Sequence, residues 1–290
     1  MAGLFAIVAI CALYTGCSKE HVEALGSASV KIHVSGFSVT QEEIPQGKSA
    51  QNVENYEGVK AIDLAFYEGT NEIYKTTQMR NAPSTYTTFG EFECNLPVGH
   101  YTMVVVARGY SDGDVFVLSS PTSAAYTTER ARETFCTTQS VSVTDTSSLD
   151  VSVTLSRIMT KLNILSTDVC PASVSRIRTT YSAGGKGFNP TTGLATSNDG
   201  FSLTNTRSLT ASSTLDVSSY AFLASDEQTM TITIEALDAD ENVMSTRVVS
   251  NVPLKRNRVT TLSGAIFSAD TSFASIMVET GWIDGNTVEF

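Results

Sequence analysis

Apolar and polar residues alternate one by one in several separate segments of this 290-residue chain, and that alternation constrains its fold more than any other feature. A period of two places one face of a strand against a dry core and the other face in water, as in an antiparallel sheet. No long segment has apolar residues at helical spacing. The alternating segments are residues 30–35, 61–66, 149–155 and 229–234.

Two further segments complete the prediction of secondary structure. Residues 101–107 (YTMVVVA) are almost continuously apolar, which is typical of a central strand. Residues 127–133 (TTERARE) are a short segment in which we expect one or two helical turns. Because 290 residues are enough for two sandwiches of ordinary size, we predict an all-β fold with tandem β-sandwich domains at residues 29–154 and 155–290.

The N-terminal residues predict export. Residues 1–16 are apolar and uncharged, too short to span a bilayer but of the right length for a signal peptide. They end beside Cys17, after the small residues that a lipoprotein signal peptidase requires. Tyr14 stands where Leu is usual and no Lys or Arg precedes the apolar core, so an ordinary signal peptide is the alternative. We expect lipidation of Cys17, a tether at residues 17–28, and a protein at the cell outer membrane or cell surface.

Charge and cysteine content exclude several classes of function. A formal net charge of -11 disfavours binding to nucleic acid and is otherwise explained by solubility. Beyond Cys17, the remaining cysteines are Cys94, Cys136 and Cys170, without the spacing of a zinc site. Cys94 and Cys136 either pair, if their strands are neighbours, or are small buried thiols. We expect no metal and no cofactor.

Three stretches carry a resemblance to a known family. Residues 59–78 (VKAIDLAFYEGTNEIYKTTQ) and 89–107 (FGEFECNLPVGHYTMVVVA) form the first, residues 155–164 (LSRIMTKLNI) the second, and residues 254–267 (LKRNRVTTLSGAIF) the third. In this order they resemble the fimbrillin superfamily of Bacteroidales, the lipoprotein pilins and accessory subunits of type V fimbriae. The resemblance implies two transthyretin-like (Greek-key) β-sandwich domains.

The same resemblance implies assembly by strand exchange, with other pilus subunits or further copies of the chain as partners. The exchangeable first strand would span about residues 29–39, with Val30, Ile32 and Val34 as its core residues. The processed loop would be residues 41–55, where Lys48 stands in place of the Arg that pilins often carry. The C-terminal run, residues 273–290, would either donate a strand or complete its own sheet, and the latter is the expected outcome.

A binding protein that stands alone is the rival interpretation. A surface lipoprotein that binds glycan or a host protein would display aromatic side chains, and Trp282 is the one tryptophan of the chain. Four tyrosines fall in or near predicted loops and are further candidate contacts, or ordinary packing: Tyr86, Tyr110, Tyr126 and Tyr181.

Motifs of catalysis or metal binding have simpler explanations. Residues 109–113 match the pattern GxSxG, but a strand follows where a nucleophile elbow needs a helix, so we predict a hairpin turn. Residues 238–242 begin like a calcium loop, but Val243 and Val249 stand where Gly and Glu are needed, so we predict a hairpin tip. The histidines, His21, His33 and His100, lack a second ligand at metal spacing. We therefore predict no enzyme.

Overall fold

The computed structural model describes residues 26–38, 53–205, 213–268 and 273–278. The strands of the first half are β1 (Ser27–Ser38), β2 (Ala61–Glu68), β3 (Asn71–Met79), β4 (Glu91–Pro97), β5 (Gly99–Arg108), β6 (Phe116–Ser120), β7 (Ser123–Tyr126), β8 (Thr134–Val143) and β9 (Leu149–Arg157). Those of the second half are β10 (Thr160–Val169), β11 (Arg176–Tyr181), β12 (Gly187–Phe188), β13 (Phe201–Asn205), β14 (Thr214–Ala221), β15 (Glu227–Leu237), β16 (Val243–Lys255), β17 (Val259–Gly264) and β18 (Phe273–Val278).

The all-β prediction is confirmed, and each alternating segment lies in a strand: β1, β2, β9 and β15. The helical segments of the described residues are two short 3₁₀ turns, Val53–Asn55 and Pro83–Thr85. No helix in this part of the chain is long and apolar enough to cross a membrane. The helical turn expected at residues 127–133 is wrong. Its arginines are held by different elements instead: Arg130 donates to the Thr204 carbonyl at 2.6 Å, and Arg132 to Asp114 at 2.6 and 2.8 Å.

The first half is built on one seven-stranded sheet in the order β3-β2-β5-β8-β9-β1-β4. Strands β8 and β9 share only two register pairs, so the sheet bends there. One apolar core is enclosed by both parts of the sheet, since β2 and β5 contribute to it together with β1, β4 and β9. Gln78 of β3 links the two free edges, because its side chain bonds the Gly90 N–H at 2.8 Å and the Glu91 carbonyl at 2.6 Å.

The second half consists of two four-stranded sheets, β14-β10-β17-β18 and β13-β11-β15-β16, with a separate core between them. The chain passes from one half to the other between Arg157 and Thr160. Both halves begin in the same way. β1 pairs antiparallel with β4 and parallel with β9, and β10 pairs antiparallel with β14 and parallel with β17.

A third core joins the halves and explains the continuous apolar run in β5. Met103 and Val105 face the first core, whereas Val104 and Val106 face the third. The small sheet β12-β7-β6 contains strands from both halves and covers this third core. Four aromatic contacts lie within it: Phe116–Tyr126, Phe116–Phe188, Phe188–Phe222 and Tyr126–Phe222. The two halves therefore share buried apolar surface.

Candidate functional site

The predicted exchangeable strand lies inside the seven-stranded sheet rather than at its edge. β1 is bonded along one side by β4, from Ser27↔Pro97 to His33↔Glu91, and along the other by β9, from Val30↔Leu149 to Ser38↔Ser156. Val30 and Ile32 are 0% exposed and Val34 is 3% exposed, so the three core residues predicted from the alternation are buried. Burial of each is worth about 1.5–3 kcal/mol.

The strands on either side of β1 are the walls of a groove that β1 fills, and the residues that line these walls are apolar. Cys94 and Phe92 of β4 stand opposite Val30 and Ile32, and the buried residues Val151 and Val153 of β9 stand beside Ile32 and Val34. Without β1, both flanking strands would expose unpaired backbone groups, which a strand from another chain can satisfy. The alternation in residues 91–97 is the sequence signal for the β4 wall.

The last residues of the predicted processing loop, from Val53 on, and the segment that follows them are fixed to the body of the first half. Val53 is 1% exposed and packs on the core. Arg80 binds the backbone carbonyls of the same segment, and its guanidinium carbon lies 4.2 Å from the centre of the Phe89 ring. The carbonyls accepting from Arg80 are those of Val53, Glu54, Tyr56 and Val59, at 2.7–3.2 Å. Chain continuity with β1 is therefore not needed to hold this segment.

Other predicted site residues fall outside the described part of the chain: Cys17, Lys48 and Trp282. The C-terminal run is described only as β18, which pairs antiparallel with β17 from Thr260↔Val278 to Gly264↔Phe273. For residues 273–278, the expectation of a strand completing its own sheet is confirmed.

The candidate tyrosines do not form one surface. Tyr126 and Tyr181 are 2% and 1% exposed and belong to the third and second cores, so their proposed role as loop contacts is wrong. Tyr181 stacks on Phe201 of the neighbouring strand β13 at 4.7 Å, and its hydroxyl bonds Ser219 of the facing sheet at 2.7 Å. Tyr126 stacks on Phe222 of the second half. Tyr86 is partly buried against Phe89. Tyr110 is also only partly exposed.

A buried polar network, not predicted from the sequence, lies where the two halves meet. The Tyr56 hydroxyl donates to Glu133 at 2.8 Å, and Arg157 forms an ion pair with the same carboxylate at 2.7 Å. Arg157 also donates to the Asn257 side chain at 3.0 Å. Burial, followed by the Glu133 charge, raises the pKa of Tyr56, so this hydroxyl remains a donor. Arg157 and Asn257 belong to two of the stretches that resemble fimbrillins, and the network brings these stretches together.

The rejected motifs lie in turns. Residues 109–113 connect β5 to β6, and the strand expected after them is confirmed; because these strands belong to different sheets, the connection is not a hairpin. Asp238 accepts from the backbone N–H groups of Asp240 and Asn242 at 2.9 and 2.8 Å, and the predicted hairpin tip between β15 and β16 is confirmed. No group of three metal-binding side chains occurs among the described residues.

The cysteines of the described residues are free and buried: Cys94, Cys136 and Cys170. Cys94 lies in the first core and Cys136 in the third, so the alternative of small buried thiols is confirmed. Burial, with a smaller contribution from Glu93, raises the pKa of Cys94 to about 11. Such a thiol is a poor nucleophile at neutral pH.

Comparison with solved structures places this fold among fimbrial and adhesin proteins. The fimbrial anchor protein Mfa2 from Porphyromonas gingivalis superposes with a TM-score of 0.50 at 10% identity, covering 82% of this chain and 90% of that one. A DUF1812 protein from Bacteroides thetaiotaomicron, provisionally named polysaccharide-binding, gives 0.51 at 13% identity, with 88% and 96% covered. A Bacteroides ovatus protein, provisionally named an adhesin, gives 0.51 at 9% identity, with 88% and 94% covered.

The likeness to the fimbrial anchor protein confirms the resemblance to the fimbrillin superfamily at the level of the fold. No curated protein matches the chain in sequence. A family model does match, over residues 33–288, from the middle of β1 past the end of β18. The chain belongs to the family of unknown function DUF6562.

Proposed function

We propose that this protein is a fimbrillin-like cell-surface lipoprotein, a structural or accessory subunit of an adhesive pilus that assembles by β-strand exchange without catalysis. The observation that carries the proposal is the position of β1. It lies between β4 and β9, and it covers an apolar groove. A strand in that position can be replaced only by another strand, because its loss would expose both the core and two rows of backbone groups.

The finer parts of the proposal follow the sequence. We propose lipidation at Cys17, cleavage at Lys48, and two transthyretin-like domains. The shared pairing pattern of β1 and β10 supports two related domains. Cleavage would free β1 together with the lipid and leave the groove open for a strand of another subunit. Without cleavage the chain would remain tethered and act as a cap or as an anchor. Anchor is the role printed in the name of Mfa2.

The register of β1 offers a direct test. Val30 stands opposite the natural Cys94, so Val30→Cys places two thiols on directly paired residues of the same face. The mature chain is cut with a lysine-specific protease under native conditions and analysed for SDS-resistant ladders. We expect ladders from the wild type, none from oxidised V30C, and their return after reduction.

Lys31→Cys is the matched control, since Lys31 is exposed on the opposite face and stands opposite Glu93. K31C is expected to form ladders in both redox states. A wild-type chain that stays monomeric after cleavage of the loop, or a native mature chain that is lipidated and intact, would contradict polymerisation. The second result would favour the anchor role.

A stand-alone lipoprotein that binds glycan or a host protein is the second candidate function. It is favoured by the fold shared with the DUF1812 protein, whose name refers to polysaccharide binding. Glycan-array binding of the intact mature chain would support it, and loss of binding in Trp282→Ala would assign Trp282 as the contact. Binding without ladders would favour this candidate over the pilus subunit.

A further inference from the structure

A cleft of about 490 Å³ lies where the two halves meet. It is bounded by β8, the end of β9, residues 190–193 and the turn between β16 and β17. The third fimbrillin-like stretch supplies that turn, in residues 255–258. β1 reaches the edge of the cleft at its end, where Ser38 pairs with the lining residue Ser156 of β9.

The cleft is lined by four cationic side chains and one carboxylate, in a protein whose net charge is -11. Three of the cations have acidic partners: Arg157 with Glu133, Lys255 with Glu227, and Arg256 with Asp226. The fourth, Arg258, forms no ion pair with a carboxylate of the described residues. Within the described part of the chain, the charge of Arg258 therefore has no carboxylate partner.

Arg258 is nearly buried, and its position is fixed. Its side chain is 9% exposed, and Nη1 donates to the Asn257 carbonyl at 3.1 Å. Its own carbonyl accepts from the backbone N–H of Lys161 at 3.0 Å and from the Thr160 hydroxyl at 3.3 Å. Asn257, at a φ of 57°, is held by Arg157 on one side and by the Met159 carbonyl on the other. Arg258 thus lines the cleft from a turn that these bonds fix, which lowers the entropy cost of binding.

The chemistry of the lining defines the ligand. A nearly buried guanidinium that has no carboxylate partner among the described residues matches a carboxylate in bidentate geometry. Five residues that line the cleft carry hydroxyl groups: Thr137, Thr138, Ser156, Thr191 and Thr192. No aromatic residue is among those that line the cleft, so a neutral sugar has no ring to stack on here.

We propose that this cleft binds the carboxylate of an acidic sugar of the hexuronate class, with Arg258 as the residue that recognises the carboxylate. The surrounding hydroxyls bond the sugar hydroxyls and distinguish a hexuronate from a simple carboxylate. This site would give the protein a glycan contact at the junction of its halves, and its recognition residue, Arg258, lies in the turn between β16 and β17 and not in a strand that flanks β1.

The test is an NMR titration of the intact mature chain with D-glucuronate, D-glucose and acetate. We expect D-glucuronate to bind at least about tenfold more tightly than either of the others, and Arg258→Gln to lose at least about tenfold of that affinity. Arg176→Gln is the matched control, because Arg176 pairs with Glu241 at the hairpin tip far from this turn. R176Q should bind D-glucuronate like the wild type.

Arg258→Lys keeps the charge but not the planar fork, and an intermediate affinity is expected. If R258Q fails to fold, the affinity of R258K for D-glucuronate tests the role of Arg258 by itself. The proposal is overturned if D-glucuronate does not bind, if glucose or acetate binds equally well, or if both Arg258 variants bind like the wild type. Binding of a glutamate-rich peptide in place of D-glucuronate would likewise overturn it. Ladder formation should be unchanged in R258K, so failure of this proposal and failure of strand exchange are distinguishable.

Discussion

At the scale of single residues, Asp168 accepts three consecutive backbone N–H groups near the end of β10. Its carboxylate oxygens bond Ile266 at 2.8 Å and Phe267 and Ser268 at 2.7 Å each. Burial opposes ionisation of Asp168, but the three donors together outweigh it, and the pKa of this carboxyl lies below its ordinary value. The folded chain therefore binds this proton less readily than the unfolded chain, and the contribution to stability is lost as the pH falls through the folded pKa.

Asp168→Asn tests this directly. An amide has one acceptor oxygen for three donors, so we expect the free energy of unfolding at pH 7 to fall by about 1–3 kcal/mol. Urea denaturation at pH 7 and pH 3 should also show a smaller loss of stability at low pH than in the wild type. Asp216→Asn, on an exposed position of β14, is the control and should behave like the wild type. Equal pH dependence in wild type and D168N would contradict the role of Asp168.

At the scale of elements, the segment after the processing loop depends on Arg80. This side chain binds carbonyls over residues 53–59, which have few strand partners of their own. Arg80→Gln should release residues 53–60 from the body of the first half, so that proteolysis extends into them. Limited proteolysis with mass spectrometry measures the new N-terminus. The control is Lys60→Gln, which removes an exposed ion pair with Glu57 in the same segment and should leave the cleavage pattern of the wild type unchanged. If R80Q also gave the cleavage pattern of the wild type, the prediction would be contradicted.

Strands whose two faces differ in solvent exposure could be predicted from the sequence, and others could not. β1 and β9 show the alternation because one face of each is wet. The short strands β6, β7 and β12 cover a core that forms only when the two halves meet, so their sequences carry no strong period. The same meeting of distant segments buries Tyr126, which reads as a loop residue in isolation.

At the scale of the whole molecule, the two halves are joined by apolar packing and by the buried network around Glu133. The sequence separations in this network explain why it could not be predicted: Tyr56, Glu133, Arg157 and Asn257 come from four distant segments. Side chains of Arg157 and Glu133 are only 7% and 10% exposed. A buried charge that loses its partner is costly, whereas loss of both charges with apolar replacement is often tolerated.

Glu133→Gln should therefore destabilise the protein strongly, by about 3–5 kcal/mol, because the Arg157 charge loses its counter-ion in the junction. The double variant E133M/R157M should recover part of that loss, since neither charge remains and the two methionines refill the space. Chemical denaturation of the intact mature chain measures both. Arg178→Met removes a more exposed ion pair, with Glu235, and should cost less than about 1 kcal/mol. If E133Q were no worse than R178M, the halves would be held together by the aromatic core alone, and the polar network would be incidental to their union.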